Sequence, residues 1–335
     1  MHPQVPDGGR TLVYSVVGDH EIKLDYYLPH EVAGRLPALI YYHGGGMTAG
    51  SRRGMGFPYW LYDHCQEKGW IFIAADYRLC HPSTTLDQIA DAKALLQFLA
   101  GEQFKRQLPE SVFLDTARIA VTGFSAGAYS ARAACIYAEP KPAVLLSVYG
   151  LGGNMLLDHW TKGRPPTSIA KLVDLRDVPG LLADKTVVSD DVSAGRMSKR
   201  FALTVHWEIE GTFLDGCFGK PGLGRELDAV AYELRATALP EDVKRGMLQL
   251  FVTDKYPPSV FVHGLADEVV SPQESIDHHE QLTKLGVKSE LHLVKDGPHG
   301  LREFTPGAAP EMAKATAEAY NRALLFITDV LSPIN

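Results

Sequence analysis

Ser125 is the residue whose surroundings most resemble a reactive site. It lies in Gly123-Phe-Ser-Ala-Gly127, between the apolar run Ile119–Thr122 and the small-residue segment Ala126–Ala138, which has helical spacing. A strand that turns this sharply into a helix pushes the central side chain out of the backbone path, and glycines on either side remove the clashes of Cβ atoms. The pattern predicts a nucleophile for acyl transfer, which needs a base, an acid and an oxyanion site elsewhere in the chain.

His299 is the best placed of the thirteen histidines to act as the base. It stands in Asp296-Gly-Pro-His-Gly300, directly after the strand-like run Glu290–Val294. A loop rich in glycine and proline can hold an imidazole over the carboxyl edge of a parallel sheet, where the serine turn would also lie. We therefore predict that His299 accepts the proton of Ser125.

Asp267 is the predicted acid partner of this histidine. It follows the strand-like run Ser259–His263, and a short turn can aim its carboxylate at the imidazole, which fixes the tautomer and stabilises the imidazolium. Glu268 is the alternative, but adjacent side chains of a turn point in different directions. The order serine, aspartate, histidine differs from the orders in chymotrypsin and subtilisin and is the one found in α/β-hydrolases.

The segment His43-Gly-Gly-Gly46 is the predicted oxyanion site. It follows the apolar run Pro37–Tyr42, and residues without side chains let the backbone approach the reacting carbon. Ala126, directly after the serine, adds an amide at the start of a helix. His43 is expected to brace the loop rather than to contact substrate.

The composition favours a globular protein and argues against nucleic-acid binding. The chain has 335 residues, of which 45% are hydrophobic, enough for a substantial core. Its 33 basic and 40 acidic residues give a net charge of −7, without a basic block that could neutralise a run of phosphates. Nucleic acid is not expected as a partner, and the oligomeric state is left open.

Cysteine usage and the start of the chain predict an intracellular protein. The four cysteines have no C-x-x-C pair, which favours free buried thiols over disulfides. The first residues have neither the charge cluster nor the apolar core of a signal peptide, and no apolar run approaches the roughly 18 residues of a membrane span. A soluble, cytoplasmic protein is the default expectation.

Alternating apolar runs and helical patterns predict a mostly parallel sheet. Two β-prone runs would form an opening antiparallel hairpin, and six further runs are too short for helices. Thr84-x-x-Asp87 resembles a capping box at the start of a helix that covers the sheet. This alternation implies right-handed crossovers. The predicted strands are Thr11–Val17, Glu21–Tyr27, Pro37–Tyr42, Trp70–Ala75, Ile119–Thr122, Ala143–Tyr149, Ser259–His263 and Glu290–Val294, and further predicted helices are Trp60–Lys68, Ala126–Ala138 and Ala308–Leu331.

The regular alternation fails between Gly150 and about Thr253, a stretch rich in proline, glycine and charge. Helical spacing recurs there over Arg225–Thr237 and Pro240–Phe251, without a clear strand. We predict one α/β-hydrolase domain over residues 1–335, with a mainly helical cap inserted at about residues 151–253. The aromatic residues of the cap could line a pocket or form its core, and they are Trp160, His206, Trp207, Phe213 and Phe218.

Several other conspicuous residues are interpreted as structural. Asp76 and Arg78 follow their strand and are expected to form an ion pair that holds loops. The segment Gly219–Gly224 lacks the spacing and the Ser or Thr of a P-loop, and His278 and His279 are neighbours on a predicted helix and point in different directions. We predict neither a cofactor nor a metal site.

Taken together, these motifs resemble the hormone-sensitive-lipase-like carboxylesterases of the α/β-hydrolase superfamily. The resemblance covers roughly residues 10–150 and 255–330, and it includes Asp76-Tyr-Arg-Leu79 besides the motifs of the predicted site. It implies that the amides of Gly45, Gly46 and Ala126 bind the oxyanion. It also implies hydrolysis of carboxylic esters without a cofactor, with a small or medium uncharged ester or lactone as the expected partner.

Two departures from that family bear on the substrate. Phe124 precedes the serine where the family usually has aspartate, and Asp267 lies in His263-Gly-Leu-Ala-Asp267, a context closer to the peptidase and dienelactone-hydrolase branches. Phe124 is therefore a candidate pocket residue. Met47 and Tyr129 are two more, because they lie near the oxyanion segment and the serine turn.

Three functions are compatible with these residues. The first is a serine carboxylesterase that works through an acyl-enzyme. The same triad also serves acyl transfer, amide hydrolysis and C–C bond cleavage, for example in secondary metabolism. The third is a non-catalytic small-molecule receptor, because a fold does not by itself imply a function, although an aligned base argues against it.

Overall fold

The fold is built around one eight-stranded sheet. The computed structural model describes residues 5–30, 33–54, 56–191, 198–301 and 310–332. The strand order is β1-β2-β4-β3-β5-β6-β7-β8, in which β1–β2 and β2–β4 are antiparallel and all other pairs are parallel. The predicted mostly parallel sheet is therefore confirmed. Its strands are β1 (Arg10–Val17), β2 (His20–Tyr27), β3 (Gly34–Tyr42), β4 (Ile71–Ala75), β5 (Val112–Phe124), β6 (Val144–Val148), β7 (Ser259–Gly264) and β8 (Ser289–Val294).

Helices cover both faces of this sheet because its central strands are apolar on both sides. Successive side chains alternate between two cores, with Ile40 and Tyr42 in one and Leu39 and Tyr41 in the other. Helices α2, α4 and α12 pack on the first core, and α1 and α13 pack on the second. The helices are α1 (Tyr59–Lys68), α2 (Thr85–Ala100), α3 (Glu102–Lys105), α4 (Gly127–Tyr137), α5 (Asp158–Thr161), α6 (Val178–Ala183), α7 (Phe201–Glu210), α8 (Phe213–Phe218), α9 (Leu223–Asp228), α10 (Tyr232–Ala238), α11 (Glu241–Lys244), α12 (Gln273–Lys284) and α13 (Pro310–Leu331).

One strand that matters for the site differs in its bounds from the prediction. The strand before Ser125 is longer than predicted, because its charged first half pairs with the start of β3 across a register shift. The capping box of Thr84 and Asp87 at the start of α2 is confirmed. The closing helix is confirmed from Pro310 onward, and its predicted start at Ala308 lies outside the described residues.

The segment between β6 and β7 contains helices and turns but no strand of the sheet in the part that the structure describes. The predicted helix Arg225–Thr237 is two helices, α9 and α10, because Arg235 donates hydrogen bonds to the carbonyls of Leu227 and Val230 at the break. The predicted helix Pro240–Phe251 is likewise α11 followed by the 3₁₀ turn Leu248–Phe251. Further 3₁₀ turns are Ser168–Leu172 and Leu175–Asp177.

The aromatic residues of this segment pack inward. Trp160 and Phe213 stack with ring centroids 4.5 Å apart, and both belong to the core on the first face of the sheet. Trp207 and Phe218 belong to the same core. These four aromatic residues therefore extend the core on the first face of the sheet.

Asp76 and Arg78 are structural, but the prediction that they pair with each other is wrong. Asp76 accepts a hydrogen bond of 2.7 Å from the backbone amide of Arg52 and forms an ion pair with its guanidinium. Arg78 forms hydrogen bonds of 2.8–3.0 Å with the carboxylate of Asp91 on α2. The two side chains face different elements, so each is neutralised by a different partner.

The structure also bears on the predictions of free thiols and of a chain without a membrane span. All four cysteines are free and buried, as predicted. None of the helices within the described ranges is long and apolar enough to cross a membrane.

Candidate active site

Ser125 occupies a strained turn between β5 and α4. Its φ is 51°, in the left-handed region that non-glycine residues rarely adopt, and its amide donates to the carbonyl of Val148 on the neighbouring strand at 3.0 Å. A Cβ added at Gly123 would lie 2.3 Å from the Cα of Ala128, and one at Gly127 would lie 2.2 Å from the carbonyl oxygen of Tyr42. Both glycines are therefore required by the close approach of α4 to the sheet.

Replacing Gly127 by alanine is expected to lower the free energy of unfolding by about 3 kcal/mol, because backbone atoms of β3 must shift to admit the methyl group. Chemical denaturation measures this loss. Gly180→Ala is the matched control, since nothing in the described chain lies within 4 Å of the added atom on helix α6. That control should be stabilised by about 0.5–1 kcal/mol. Equal effects at the two sites would contradict the steric explanation.

The structure brings Ser125, His299 and Asp267 into one hydrogen-bonded chain. The Oγ of Ser125 lies 3.0 Å from Nε2 of His299, and Nδ1 of His299 lies 2.7 Å from Oδ2 of Asp267. The other carboxylate oxygen, Oδ1, accepts hydrogen bonds of 2.9 Å from the amides of Val269 and Val270. The serine is 9% exposed and the acid 7%, so the chain lies largely out of water.

Asp267 is held in its ionised form by its surroundings. Burial acts to raise the pKa of its carboxyl group, but the charge of His299 and hydrogen bonds from His263 and His299 outweigh it and hold the pKa well below its ordinary value. Nε2 of His263 lies 3.2 Å from the same oxygen that His299 contacts. An ionised carboxylate at this place can orient the imidazole and stabilise it once it is protonated.

The glycine segment after β3 lies beside the serine turn. The carbonyl oxygen of Gly45 accepts hydrogen bonds from the amides of Thr48 at 3.2 Å and Ala49 at 3.0 Å. Because a trans peptide is planar, the N–H of Gly46 in the same peptide points the opposite way. The segment lies against the serine, since a Cβ added at Gly44 would be 3.2 Å from the Cβ of Ser125. Ala126 follows the serine at the N-cap of α4.

His43 braces this segment from within the core. Its ring stacks on Tyr77 with centroids 4.5 Å apart, and its Nδ1 lies 2.7 Å from the carbonyl oxygen of Gly44. Burial lowers the pKa of His43 to about 4, so the ring is neutral at neutral pH and its Nδ1–H can donate to that oxygen. By peptide planarity, this bond also orients the N–H of Gly45.

The folded protein is expected to lose stability in acid because His43 takes up a proton on unfolding. Its pKa is about 4 when folded, below the ordinary value of 6.5, so this stability is present above pH 6.5 and is lost as the pH falls toward 4. Denaturation at pH 7 and pH 4.5 should show that His43→Asn removes about 2–3 kcal/mol of the pH dependence. An unchanged pH dependence in the variant would contradict this assignment.

The three candidate pocket residues are buried in the structure. Met47 and Tyr129 have no exposed surface, and the hydroxyl of Tyr129 donates to the carbonyl of Gly246 at 2.7 Å. Phe124 is 3% exposed and packs edge-on against Tyr41 with centroids 5.3 Å apart. All three make core contacts, and their part in substrate binding stays a prediction.

Sequence reasoning missed the residues that reach the site from the segment between β6 and β7. Thr204 on helix α7 contacts the oxyanion segment, and Glu208, one turn later, is paired with Arg164 at 2.6 Å. The sequence contained a signal for them, because Thr204 and Glu208 are four positions apart on a mostly apolar helix and therefore share a face. A buried polar residue needs a partner, and here the partners are the carbonyl of Gly46 for Thr204 and the guanidinium of Arg164 for Glu208.

Comparisons with known families agree with this architecture. The family BD-FAE matches residues 24–149, and the prolyl oligopeptidase family matches residues 226–323, which include Asp267 and His299. The probable carboxylic ester hydrolase LipM of Mycobacterium tuberculosis is 35% identical over 112 residues, which cover 33% of this chain and 24% of that protein.

The longest similarities are to parts of much larger proteins. The non-reducing polyketide synthase trt4 of Aspergillus terreus is 28% identical over 320 residues, which are 86% of this chain but 13% of the synthase. Six further non-reducing polyketide synthases match 86–96% of the chain. The chain thus spans about an eighth of the length of these curated relatives.

Among solved structures, esterase 2 of Thermogutta terrifontis, phosphonylated by sarin, aligns over 100% of both chains with a TM-score of 0.60 and 20% identity. This likeness establishes the fold. The sheet order, the serine turn and these similarities agree with the resemblance found in the sequence. The chain therefore has the α/β-hydrolase fold, with matches to two families over different parts of its length.

Proposed function

We propose that the protein is a serine hydrolase that cleaves small or medium carboxylic esters or lactones. Ser125 is the nucleophile, His299 the general base and Asp267 the residue that orients it. The amides of Gly45, Gly46 and Ala126 form the oxyanion hole. The hydrogen-bonded chain through the 3.0 Å contact of Ser125 with His299 and the 2.7 Å contact of His299 with Asp267 carries this proposal.

The proposed reaction has two steps. The Oγ of Ser125 attacks the ester carbonyl while Nε2 of His299 takes its proton, and the oxyanion binds to the amides. The imidazolium then returns this proton to the leaving alcohol, whose C–O bond breaks to give the acyl-enzyme. Water, deprotonated by His299, attacks the acyl group, and the acid leaves as Ser125 regains its proton.

A panel of p-nitrophenyl esters of increasing acyl length, together with a fluorophosphonate probe, tests the proposal. We expect turnover of the esters and stoichiometric labelling of Ser125, identified by peptide mass. The probe suits the site because a solved protein of this fold is phosphonylated by sarin. The acyl length with the highest kcat/KM would measure the acyl pocket. A folded protein that neither turns over esters nor reacts with the probe would instead be the non-catalytic receptor.

A second candidate is the release or transfer of an acyl chain held as a thioester. Its support is that the seven matching polyketide synthases align with nearly the whole chain, the cap segment included. The triad is unchanged in this reaction, but a thiol leaves instead of an alcohol. A higher kcat/KM for acyl thioesters than for matched oxygen esters would favour this candidate. Faster transfer to an added alcohol than to water would identify a transferase.

A further inference from the structure

Helix α7 rests directly on the oxyanion segment. The hydroxyl of Thr204 donates to the carbonyl oxygen of Gly46 at 2.8 Å and also lies 2.7 Å from the hydroxyl of Thr48. Arg200, just before the helix, donates from Nε to the carbonyl of Thr48 at 2.9 Å. A Cβ added at Gly46 would lie 2.5 Å from Thr204 and 2.9 Å from Phe201. The helix therefore packs on the backbone that would bind the oxyanion.

The other end of α7 is connected to the acid loop. Glu208 forms an ion pair of 2.6 Å with Arg164, whose backbone amide donates to the carbonyl of Glu208 at 3.1 Å. Nη2 of Arg164 donates to the carbonyl of Val269 at 3.0 Å, and Nη1 donates to the carbonyl of Glu268. Glu268 and Val269 directly follow Asp267, so α7 spans the site from the oxyanion segment to the acid.

The electrostatics agree with this position over the site. Burial raises the pKa of Glu208 to about 7, while the charges of Arg164 and His299 act to lower it. The carboxylate of Glu208 thus lies within electrostatic range of the imidazole. This end of the helix lies beside the acid loop, which Arg164 contacts.

Gly46 needs an external constraint to hold its amide in place. Its φ is 61°, and glycine has no Cβ to restrict rotation about its backbone bonds. The peptide before it is fixed by the bonds to the carbonyl of Gly45, and the peptide after it is fixed by Thr204. Without Thr204, one of the two peptides that flank Gly46 loses its hydrogen bond.

We propose that Thr204 is a positioning residue that holds the oxyanion amides in register, so that the placement of the cap helix α7 controls the competence of the site. This inference rests on the proposed function. Thr204 touches no reacting atom, and it acts through the carbonyl of Gly46. Oxyanion donors accelerate the reaction only when they are preorganised, so a displaced loop lowers kcat more than it changes substrate binding.

The test is Thr204→Val, which replaces the hydroxyl by a methyl group of similar size. We expect kcat for p-nitrophenyl butyrate to fall about 10-fold or more, with KM changed less than about 3-fold, and the rate of fluorophosphonate labelling to fall in parallel. Thr204→Ser restores the donor and should recover most of kcat. Thr161→Val is the matched control, because this buried cap threonine has no hydrogen-bond partner for its hydroxyl among the described residues, and it should keep the wild-type kcat.

Each outcome decides a separate question. Wild-type kcat in a folded Thr204→Val protein would overturn the inference, and so would equal losses in Thr204→Val and Thr161→Val. If the valine variant does not fold, Thr204→Ala must show the same selective loss of kcat. A wild-type protein without esterase activity or labelling would overturn the proposed function itself, whatever Thr204 does.

Discussion

Replacing Ser125 by alanine is expected to lower kcat for ester hydrolysis by about 10⁴-fold or more, with the fold intact. In the proposed mechanism the acyl-enzyme forms on Oγ, and without this atom only the oxyanion amides and substrate binding remain to accelerate the reaction. The hydroxyl contacts His299 at 3.0 Å, and the strained φ of 51° is available to alanine as it is to serine. Little stability should therefore be lost.

The measurement is kcat on the ester with the highest kcat/KM, beside fluorophosphonate labelling and thermal unfolding. Ser130→Ala is the matched control. It removes the hydroxyl of a buried serine on the same helix, α4, and that hydroxyl has no hydrogen-bond partner in the described part of the chain. Wild-type turnover is expected there. Substantial ester turnover by Ser125→Ala would exclude this serine as the nucleophile.

Replacing Asp267 by asparagine should cost about 10⁴-fold in kcat at neutral pH, because it selects the wrong imidazole tautomer. Oδ1 of Asp267 accepts from the amides of Val269 and Val270, both at 2.9 Å. Those two donors require the amide oxygen of asparagine at that position, which turns its NH₂ toward His299. Nδ1 of His299 must then accept a hydrogen bond, so Nε2 carries the proton and cannot take one from Ser125.

Glu268→Gln is the control for this substitution. Glu268 is the neighbouring carboxylate that the sequence allowed as the acid, and its side chain is exposed. We expect its kcat to match the wild type, because charge removal alone at an exposed position costs little. A large loss in Glu268→Gln together with a small one in Asp267→Asn would reverse the assignment of the acid.

The two substitutions also separate catalysis from folding. Ser125→Ala removes one atom at a turn whose geometry is set by Gly123 and Gly127, and Asp267→Asn keeps the shape of its side chain. Asp267 is buried and ionised, however, so asparagine also exchanges charge-assisted hydrogen bonds for neutral ones. Some loss of stability is therefore expected from Asp267→Asn, and thermal unfolding should be measured beside kcat.

The sequence predicted well the features that short stretches of chain determine. Apolar runs such as Trp70–Ala75 are too short for a helix and too apolar for a loop, so they read as buried strands, and β4 runs from Ile71 to Ala75. The capping box of Thr84 and Asp87 is equally local. The glycines beside Ser125 predicted a turn too tight for Cβ atoms, and the structure confirms it through the close approach of Ala128 and Tyr42.

Predictions of side-chain contacts failed where the partners lie far apart in the sequence. Asp76 and Arg78 are two residues apart, but Asp76 forms an ion pair with Arg52 and Arg78 forms one with Asp91. The helical periodicity of Arg225–Thr237 could not reveal that the guanidinium of Arg235 would end one helix and begin another. Such contacts join positions that no local pattern relates.

By itself, the sequence determined the α/β class, the succession of strands along the chain and the set of residues able to form a nucleophile, a base and an acid. These follow from backbone periodicity, glycine sterics and the chain order of three motifs. Only the tertiary structure decided that helix α7 lies across the site, with Thr204 on Gly46 and Glu208 beside the acid loop. The physical reason is that the contact of Thr204 with Gly46 joins residues 158 positions apart, and the packing of the segment between β6 and β7 against the sheet brings them together.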